Sequence, residues 1–323
     1  MKKKNIAVIM GGYSSEYKIS IESGNIVYKN IDKTIFNPFM IHILKNKWVL
    51  IDEHEHEYPI DKHDFSATIN DKKINFEYIV NVIHGTPGED GKILAYFDLL
   101  NLKYSSAPFY QMAITFNKRD CLSIARNYGI KTATSVYLNK GDHYNKKEIL
   151  DIVGIPCFVK PNNAGSSYGI SKVNHINEFE TALKTAFKED NEILIESFLN
   201  GIEVSVGVIQ YKDEIKILPI TEIVSENDFF DYEAKYLGKS QEITPARISE
   251  IQKEKVTSAA IHLYKSLNMQ GFTRSEFIFI NDEPYFLEMN TVPGMTEASL
   301  LPQQAAIAGI SLSNLLTDTI NRN

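Results

Sequence analysis

Arg274, Glu276, Glu288 and Asn290 carry the side chains in this chain whose types and spacing most suggest joint chemistry. Phe272 to Ile280 alternates in two sets, putting Arg274, Glu276, Ile278 and Ile280 on one face of an extended strand. Asn281 to Pro284 reads as a turn, and Tyr285 to Asn290 as a returning strand on which Glu288 and Asn290 share a face. A three-residue turn sets Glu276 opposite Glu288 and Arg274 opposite Asn290. Like charges facing each other across a ladder are unfavourable unless something neutralises them. Two carboxylates and an amide oxygen are hard ligands that suit Mg²⁺ when nucleotide phosphates complete its shell. The neighbouring guanidinium is a cation that does not titrate away. The plain alternative is a solvated hairpin with scattered charges. Thr291-Val292-Pro293-Gly294-Met295-Thr296 then forces a turn, and Ser299 opens an apolar run, a layout that looks like a substrate loop.

Several strands and loops must position those groups. Ile6 to Met10 is a short run of buried-strand type, followed by Gly11-Gly12 and then Ile19, Ser23, Ile26, Val27 and Ile31 at helical spacing. Strand, tight turn and helix open a doubly wound α/β domain. The Gly pair lacks the GxGxxG spacing of a dinucleotide fingerprint. Tyr78 to Ile83 is another strand, ending at His84-Gly85-Thr86-Pro87-Gly88-Glu89-Asp90-Gly91. Gly-rich loops at strand ends are where α/β proteins place ligands. A helix starts at Glu89-Asp90, with Ile93, Leu94, Phe97 and Leu100 inward.

In the middle of the chain, Cys157 to Pro161 and Ile170 to Val173 form a hairpin around a loop of small residues. Gly and Ser there let backbone N–H groups approach phosphate oxygens, without the spacing of a P-loop. The apolar stripe of helix 176 to 188, from Phe179 to Phe187, reads as core. Glu196 ends the next strand and Glu203 lies in the one after; taken alone, either reads equally as a surface acid on an edge strand. Glu226 to Leu237 is an aromatic and charged loop before helix 249 to 268. Residues 45 to 75 are charged and loop-rich, and His54, His56 and His63 read as a solvated loop, not a zinc site.

A chain of 323 residues, 43% hydrophobic, can bury a substantial core and suits two or three domains. A net charge of −7, a pI near 5.7 and no basic stripe argue against a nucleic-acid partner. The apolar run after Met1-Lys2-Lys3-Lys4 is too short for a signal peptide, and no other run approaches a membrane span. The chain reads as cytoplasmic. Cys121 and Cys157 lack CxxC spacing and read as reduced, packed thiols.

Arg274-x-Glu276 and Glu288-x-Asn290-Thr291-x-Pro293-Gly294-Met295-Thr296-x-x-Ser299 together resemble the end of the ATP-grasp domain of D-alanine–D-alanine ligases. Gly11-Gly12-x-Ser14-x-Glu16, the loop from His84 to Gly91, and Lys160-Pro161-x-x-x-Gly165-Ser166-Ser167-x-Gly169 follow the same family in order. So do the pair Glu196 and Glu203 and the lid sequence Tyr232-x-x-Lys235-Tyr236, with Pro245-Ala246 as its return. The family usually has Asp where Glu276 stands, an acidic residue at Lys18, and Gln-Gly where Leu94-Ala95 stand.

The resemblance implies a role for each position. Glu16 would hold the ammonium of the first D-alanine, with Ser166 and Tyr236 beside it, and His84 would lie near the substrate carboxylates. Lys118, Lys160 and Ser167 would contact ATP phosphates, Lys235 would screen the γ-phosphate, and Glu196 and Glu203 would take adenine-side groups and ribose. Glu276, Glu288 and Asn290 would bind two Mg²⁺, with Mn²⁺ an admissible substitute and a monovalent cation an open accessory. Arg274 and the Gly294 N–H would form an oxyanion hole, and Ser299 would hold the second carboxylate.

The implied fold is α/β: an ATP-grasp fold with an N-terminal Rossmann-like (preATP-grasp) domain, three α/β domains in all. The divisions are 1–113, 114–207 with the glycine-rich loop, and 208–323 with lid, metal and substrate sites. The implied activity joins two D-alanines through an acyl phosphate for peptidoglycan precursors, in a homodimer. D-Lactate or D-serine as second substrate, or a nucleotide-binding relative without chemistry, stay open beside it; Tyr236 goes with D-alanine.

Overall fold

The computed structural model describes residues 3–165, 168–225 and 240–322. Ser166, Ser167, Tyr232, Lys235 and Tyr236 therefore lie outside the described residues. Among those described, the strands fall into three sheets.

Strand β1 (Lys4–Gly11) carries an unbroken apolar run from Ile6 to Met10, fully buried because both faces of the strand are covered there. It pairs in parallel with β2 (Phe36–Ile43) on one side and β7 (Tyr78–Asn81) on the other. The crossover helix α1 (Tyr17–Asn30) buries Ser20, Ser23, Gly24 and Val27, while Ile19 and Ile26 stay half-buried. Small residues let the helix lie close on β1. The parallel, doubly wound part is short. Strands β3 (Trp48–Ile51), β4 (Glu57–Asp61), β5 (Ser66–Ile69) and β6 (Lys72–Ile74) extend the sheet as an antiparallel meander, in the order β6-β5-β4-β3-β2-β1-β7. This corrects the expectation of a loop-rich stretch over 45 to 75. The charges there form the wet face of a one-sided sheet, while Leu50, Ile60, Phe65 and Ala67 face the core. Helix α2 (Lys92–Leu99) covers that core with Ile93, Leu94 and Phe97.

Helices α3 (Phe109–Phe116) and α4 (Lys118–Asn127) lead to the second sheet. Its strands are β8 (Ser135–Asn139), β9 (Cys157–Pro161), β10 (Ser171–Val173) and β11 (Glu192–Ser197), antiparallel in the order β10-β9-β11-β8. Helices α5 (Lys146–Val153) and α6 (Phe179–Glu189) pack on one face through Leu150, Phe179, Leu183 and their neighbours. Along β9, Cys157, Val159 and Pro161 point into that core, and Phe158 and Lys160 alternate onto the open face.

The third sheet holds β12 (Ile202–Tyr211), β14 (Thr221–Ser225), β15 (Ser240–Ile243), β16 (Phe272–Ile280) and β17 (Glu283–Asn290) in the order β15-β14-β12-β16-β17, with β13 (Glu214–Ile217) beside β12. Helix α7 (Glu250–Ser266) starts with a reciprocal Ser249–Gln252 capping box and buries Val256, Ala260, Leu263 and Tyr264. Two further helices, α8 (Leu300–Ile307) and α9 (Leu312–Arg322), place Leu301, Leu315 and Leu316 in one cluster with Val8, Met10 and Val27. The first and third sheets are thus joined by shared apolar burial. No helix among the described residues is long and apolar enough to cross a membrane.

Candidate active site

The β16–β17 hairpin pairs Arg274 with Asn290 and Glu276 with Glu288, the cross-strand partners that the alternation predicts. The turn is different. Ile280 pairs with Glu283, so Asn281 and Asp282 alone make the turn, Asn281 with φ 55°. A bulge leaves Leu287 unpaired and restores the register beyond it. The bulge does what a third turn residue was expected to do.

Two cations resolve the like-charge pairing. Arg274 Nη1 donates to Glu276 Oε1 and, at 3.2 Å, to Ser205 Oγ. Lys118 Nζ lies 3.3 Å from Glu288 Oε2 and donates to the Ala164 carbonyl at 2.7 Å. Asn290 Oδ1 accepts from the Val292 N–H at 3.0 Å, which folds the chain back immediately after the strand.

The two Gly-rich loops of the first sheet clasp each other above this hairpin. Tyr13 N–H donates to the Thr86 carbonyl, and Ser14 Oγ donates to the His84 carbonyl while accepting from the Glu16 N–H. Glu16 and His84 are both buried by this clasp, and His84 Nε2 makes no hydrogen bond among the described residues. Burial pushes the His84 pKa down; Glu16 and the Val292 backbone pull against it, and Arg274 adds to the fall. Glu89 Oε2 accepts from the Gly85 N–H at 3.0 Å, and its carboxyl is pushed up to about 8 by burial and then by Glu16.

Gly165 brings the loop between β9 and β10 down onto this group. A Cβ there would lie 2.7 Å from Glu16 Oε2, so a larger residue would have to push the Glu16 carboxylate aside. Gly294 is confined in the same way, with a Cβ 2.6 Å from Ser299 Oγ. Ser299 stands at the N-terminal boundary of α8, and its Oγ accepts from the preceding Thr296 N–H at 3.2 Å and makes no capping hydrogen bond to the helix.

Glu16, His84, Arg274, Asn290, Gly294 and Ser299 line one cavity of about 360 Å³. A second, of about 410 Å³, lies between the second and third sheets and is lined by Lys160, Glu196, Glu203 and Glu276 with Phe158, Ile170 and Ile278. Both volumes suit small-molecule ligands. Lys118 and Glu288 line both, so the cavities meet at that ion pair. In the second, Lys160 Nζ lies 2.7 Å from Glu196 Oε2. Burial alone would lower the Lys160 pKa, but Glu196, Glu288 and Glu203 outweigh it and hold it above the ordinary value.

Some positioning residues carry no sequence signal that the motifs capture. Asn162 Oδ1 accepts from the Arg119 N–H at 2.9 Å, and its carbonyl accepts from the Lys118 N–H, which fixes the start of α4. The Arg119 guanidinium reaches the Ile193 carbonyl and Asn139, tying α4 to the second sheet. Glu222 is held by Arg247 through Nε and Nη2, both at 2.8 Å. Asn162 follows Lys160-Pro161 directly, which is the one hint available. Of the departures noted above, Lys18 is exposed and Leu94 is fully buried core. His54, His56 and His63 are exposed, and no group of three or more His, Cys, Asp or Glu among the described residues could hold a metal. Burial pushes the thiols of Cys121 and Cys157 up to about 12 and about 11, which leaves them inert.

Comparison with known proteins defines first the class. The fold matches the crystal structure of VanG D-Ala:D-Ser ligase from Enterococcus faecalis with TM-score 0.86, 29% identity and 99% of each chain covered. It also matches the D-alanine–D-alanine ligase from Bacillus anthracis complexed with ATP, with TM-score 0.78, 30% identity, and 98% and 96% of the two chains covered. This is the ATP-grasp class. Family models described as D-ala D-ala ligase N-terminus and C-terminus match residues 5–107 and 124–321. The D-alanine–D-alanine ligase of Flavobacterium johnsoniae is 64% identical over 317 residues, 98% of each chain. The chain belongs to the D-alanine–D-alanine ligase family.

Proposed function

We infer that this protein joins two D-alanines to D-alanyl-D-alanine at the expense of ATP, the dipeptide serving peptidoglycan precursor synthesis. The observation that carries the reading is the meeting of two ligand-sized cavities at Lys118 and Glu288, one lined by Glu16, His84, Arg274 and Ser299 and the other by Lys160, Glu196 and Glu203. ATP lies in the second cavity, with Lys160 and Lys118 on its phosphates and Glu196 and Glu203 toward adenine and ribose. The first D-alanine lies in the other, its ammonium on Glu16 and its carboxylate directed at the γ-phosphate. That carboxylate oxygen attacks phosphorus, ADP leaves, and an acyl phosphate forms. The amine of the second D-alanine then attacks the carbonyl carbon, and phosphate departs with the electrons of the C–O bond.

Arg274 and the Gly294 N–H hold the oxygen on which negative charge develops. Ser299 holds the second carboxylate, and the neutral His84 stands beside both substrates without adding charge. Ser166, Ser167, Lys235 and Tyr236 complete the site in this reading. The donor set of Glu276, Glu288 and Asn290 fits Mg²⁺: hard oxygens on one hairpin face, with Arg274 on Glu276 and Lys118 beside Glu288. Bound there, the ion neutralises phosphate charge during transfer. The three sheets, with strands at 4–81, 135–197 and 202–290, support divisions 1–113, 114–207 and 208–323. ATP as substrate supports a cytoplasmic location, and a homodimer is carried over from the family.

The test is product analysis with ATP, Mg²⁺ and D-alanine, beside D-alanine plus D-serine, D-alanine plus D-lactate, and L-alanine. ADP, phosphate and D-alanyl-D-alanine in equal amounts support the reading. Product only with a mixed pair would move the second substrate, a specificity the VanG structure makes concrete.

A further inference from the structure

Five carboxylates line the amino-acid cavity: Glu16, Glu22, Glu89, Glu242 and Glu288. Four of them are accounted for. Glu16 lies against Gly165 and takes the first ammonium, Glu89 accepts from Gly85, Glu288 faces Lys118, and Glu22 is an exposed residue of α1. Glu242 is left. It stands in β15, belongs to no motif, is partly buried, and makes no hydrogen bond or ion pair with another described residue. Its cross-strand neighbour on β14 is Ile223, which packs on Leu300, the residue after Ser299. That contact sets Glu242 beside the start of α8, where the second substrate's carboxylate is proposed to sit, and within the electrostatic reach of Arg274.

The chemistry lacks one component at that place. An amino acid at neutral pH arrives as an ammonium, which is not a nucleophile until a proton has left. Its carboxylate on Ser299 and the reacting carbonyl oxygen on Arg274 confine the nitrogen between those two groups. On this reading of the function, we propose that Glu242 receives the ammonium of the second D-alanine and takes its proton. The N–H bond breaks toward Glu242 Oε, and the freed lone pair forms the C–N bond. The C–O bond to phosphate breaks, and the second proton leaves with the phosphate, so the amide and hydrogen phosphate are balanced. Burial pushes the Glu242 pKa up, which makes it a stronger base than an exposed carboxylate, while Arg274 draws it back.

The experiment separates the two half-reactions. Glu242→Gln and Glu242→Asp are assayed for D-alanyl-D-alanine, and in parallel for D-alanine hydroxamate, with hydroxylamine replacing the second D-alanine. Hydroxylamine is already neutral at pH 7.5 and needs no base. Glu242→Gln is expected to lose roughly a hundredfold in peptide formation at that pH, the scale of one general base. Its hydroxamate rate stays within about twofold of wild type, because the acyl phosphate still forms. Glu242→Asp recovers part of the loss.

Raising the pH toward 9 narrows the peptide deficit of Glu242→Gln, as free amine appears in solution. The other groups facing this position are Arg274 and Glu288 of the hairpin, Glu16 and His84 of the first sheet, Lys118, and Glu222 of β14; all are unchanged in the variant. Peptide formation within about threefold of wild type, a parallel loss of hydroxamate, or a deficit that ignores pH overturns the proposal. A wild-type protein that forms no dipeptide would instead overturn the functional reading, and this proposal with it.

Discussion

The cavity proposed for the nucleotide is walled by strands, whereas the one proposed for the amino acids is closed by what comes after strands. Lys160 on β9, Glu196 on β11, Glu203 on β12 and Glu276 on β16 project from paired backbone, and period-2 alternation alone aims them into the cleft. Glu16, His84, Gly165, Gly294 and Ser299 all lie on loops or at helix starts, from parts of the chain far apart in sequence. They are fixed by mutual contact: Ser14 on His84, Gly165 on Glu16, Gly294 on Ser299. A strand-built wall holds charge in position and tolerates local change. A loop-built pocket depends on each close approach.

That contrast can be broken in four ways. Arg274 belongs to the hairpin but faces the amino-acid cavity, so Arg274→Ala should reduce turnover by at least roughly a hundredfold, the usual cost of one lost oxyanion donor. Near-normal turnover would remove Arg274 from the mechanism. Lys160→Met leaves Glu196, 4% exposed at its side chain, without its cation. It should abolish measurable ATP binding and cost about 3 kcal/mol in denaturant unfolding. Adding Glu196→Gln should recover the stability but not the binding.

Gly165→Ala probes the loop-built side. Its Cβ would press on Glu16, and an overpacking cost of about 1 kcal/mol or more should raise KM for D-alanine roughly tenfold while leaving KM for ATP alone. An equal rise in both would mean that the cavities are not independent.

The smallest effect concerns Glu89, whose carboxyl is raised from its ordinary 4.5 to about 8 by burial and by Glu16. A carboxyl with a raised folded-state pKa favours the fold when protonated. Its contribution is therefore full below pH 4.5 and is lost as pH climbs toward 8. Glu89→Gln cannot ionise, so its Tm should exceed that of wild type by at least about 2 °C at pH 8.5, with the gap closing at pH 5. A gap independent of pH would show that Glu89 is not the group responsible.

The sequence displayed the strand-built wall more fully than the loop-built one, for physical reasons. Alternation along β16 identified Arg274 and Glu276 as neighbours on one face without knowledge of the turn. The bulge was hidden in the spacing of Phe286 and Met289, both buried and three apart, which breaks the period of two at Leu287. Residues 45 to 75 misled because charge on the solvated face of a sheet looks like loop charge. The buried seam of α1 runs through Ser20, Ser23 and Gly24, and small residues give a weak apolar pattern. Asn162 acts by accepting the Lys118 and Arg119 N–H groups at the start of α4, and Glu242 through a contact between Ile223 and Leu300, so neither could be read locally. The motif order carried the family. It could not carry those contacts.

In the proposed reaction the two cavities meet so that phosphorus passes from ATP to the substrate carboxylate beside Lys118 and Glu288. D-Alanine labelled with ¹⁸O in both carboxylate oxygens, incubated with the enzyme, ATP and Mg²⁺, tests it by mass analysis of the released phosphate. Transfer through an acyl phosphate places one labelled oxygen in each phosphate and leaves its partner in the new amide carbonyl. Unlabelled phosphate alongside D-alanyl-D-alanine would mean that the peptide bond forms without that transfer, and the account of the joined cavities would be wrong.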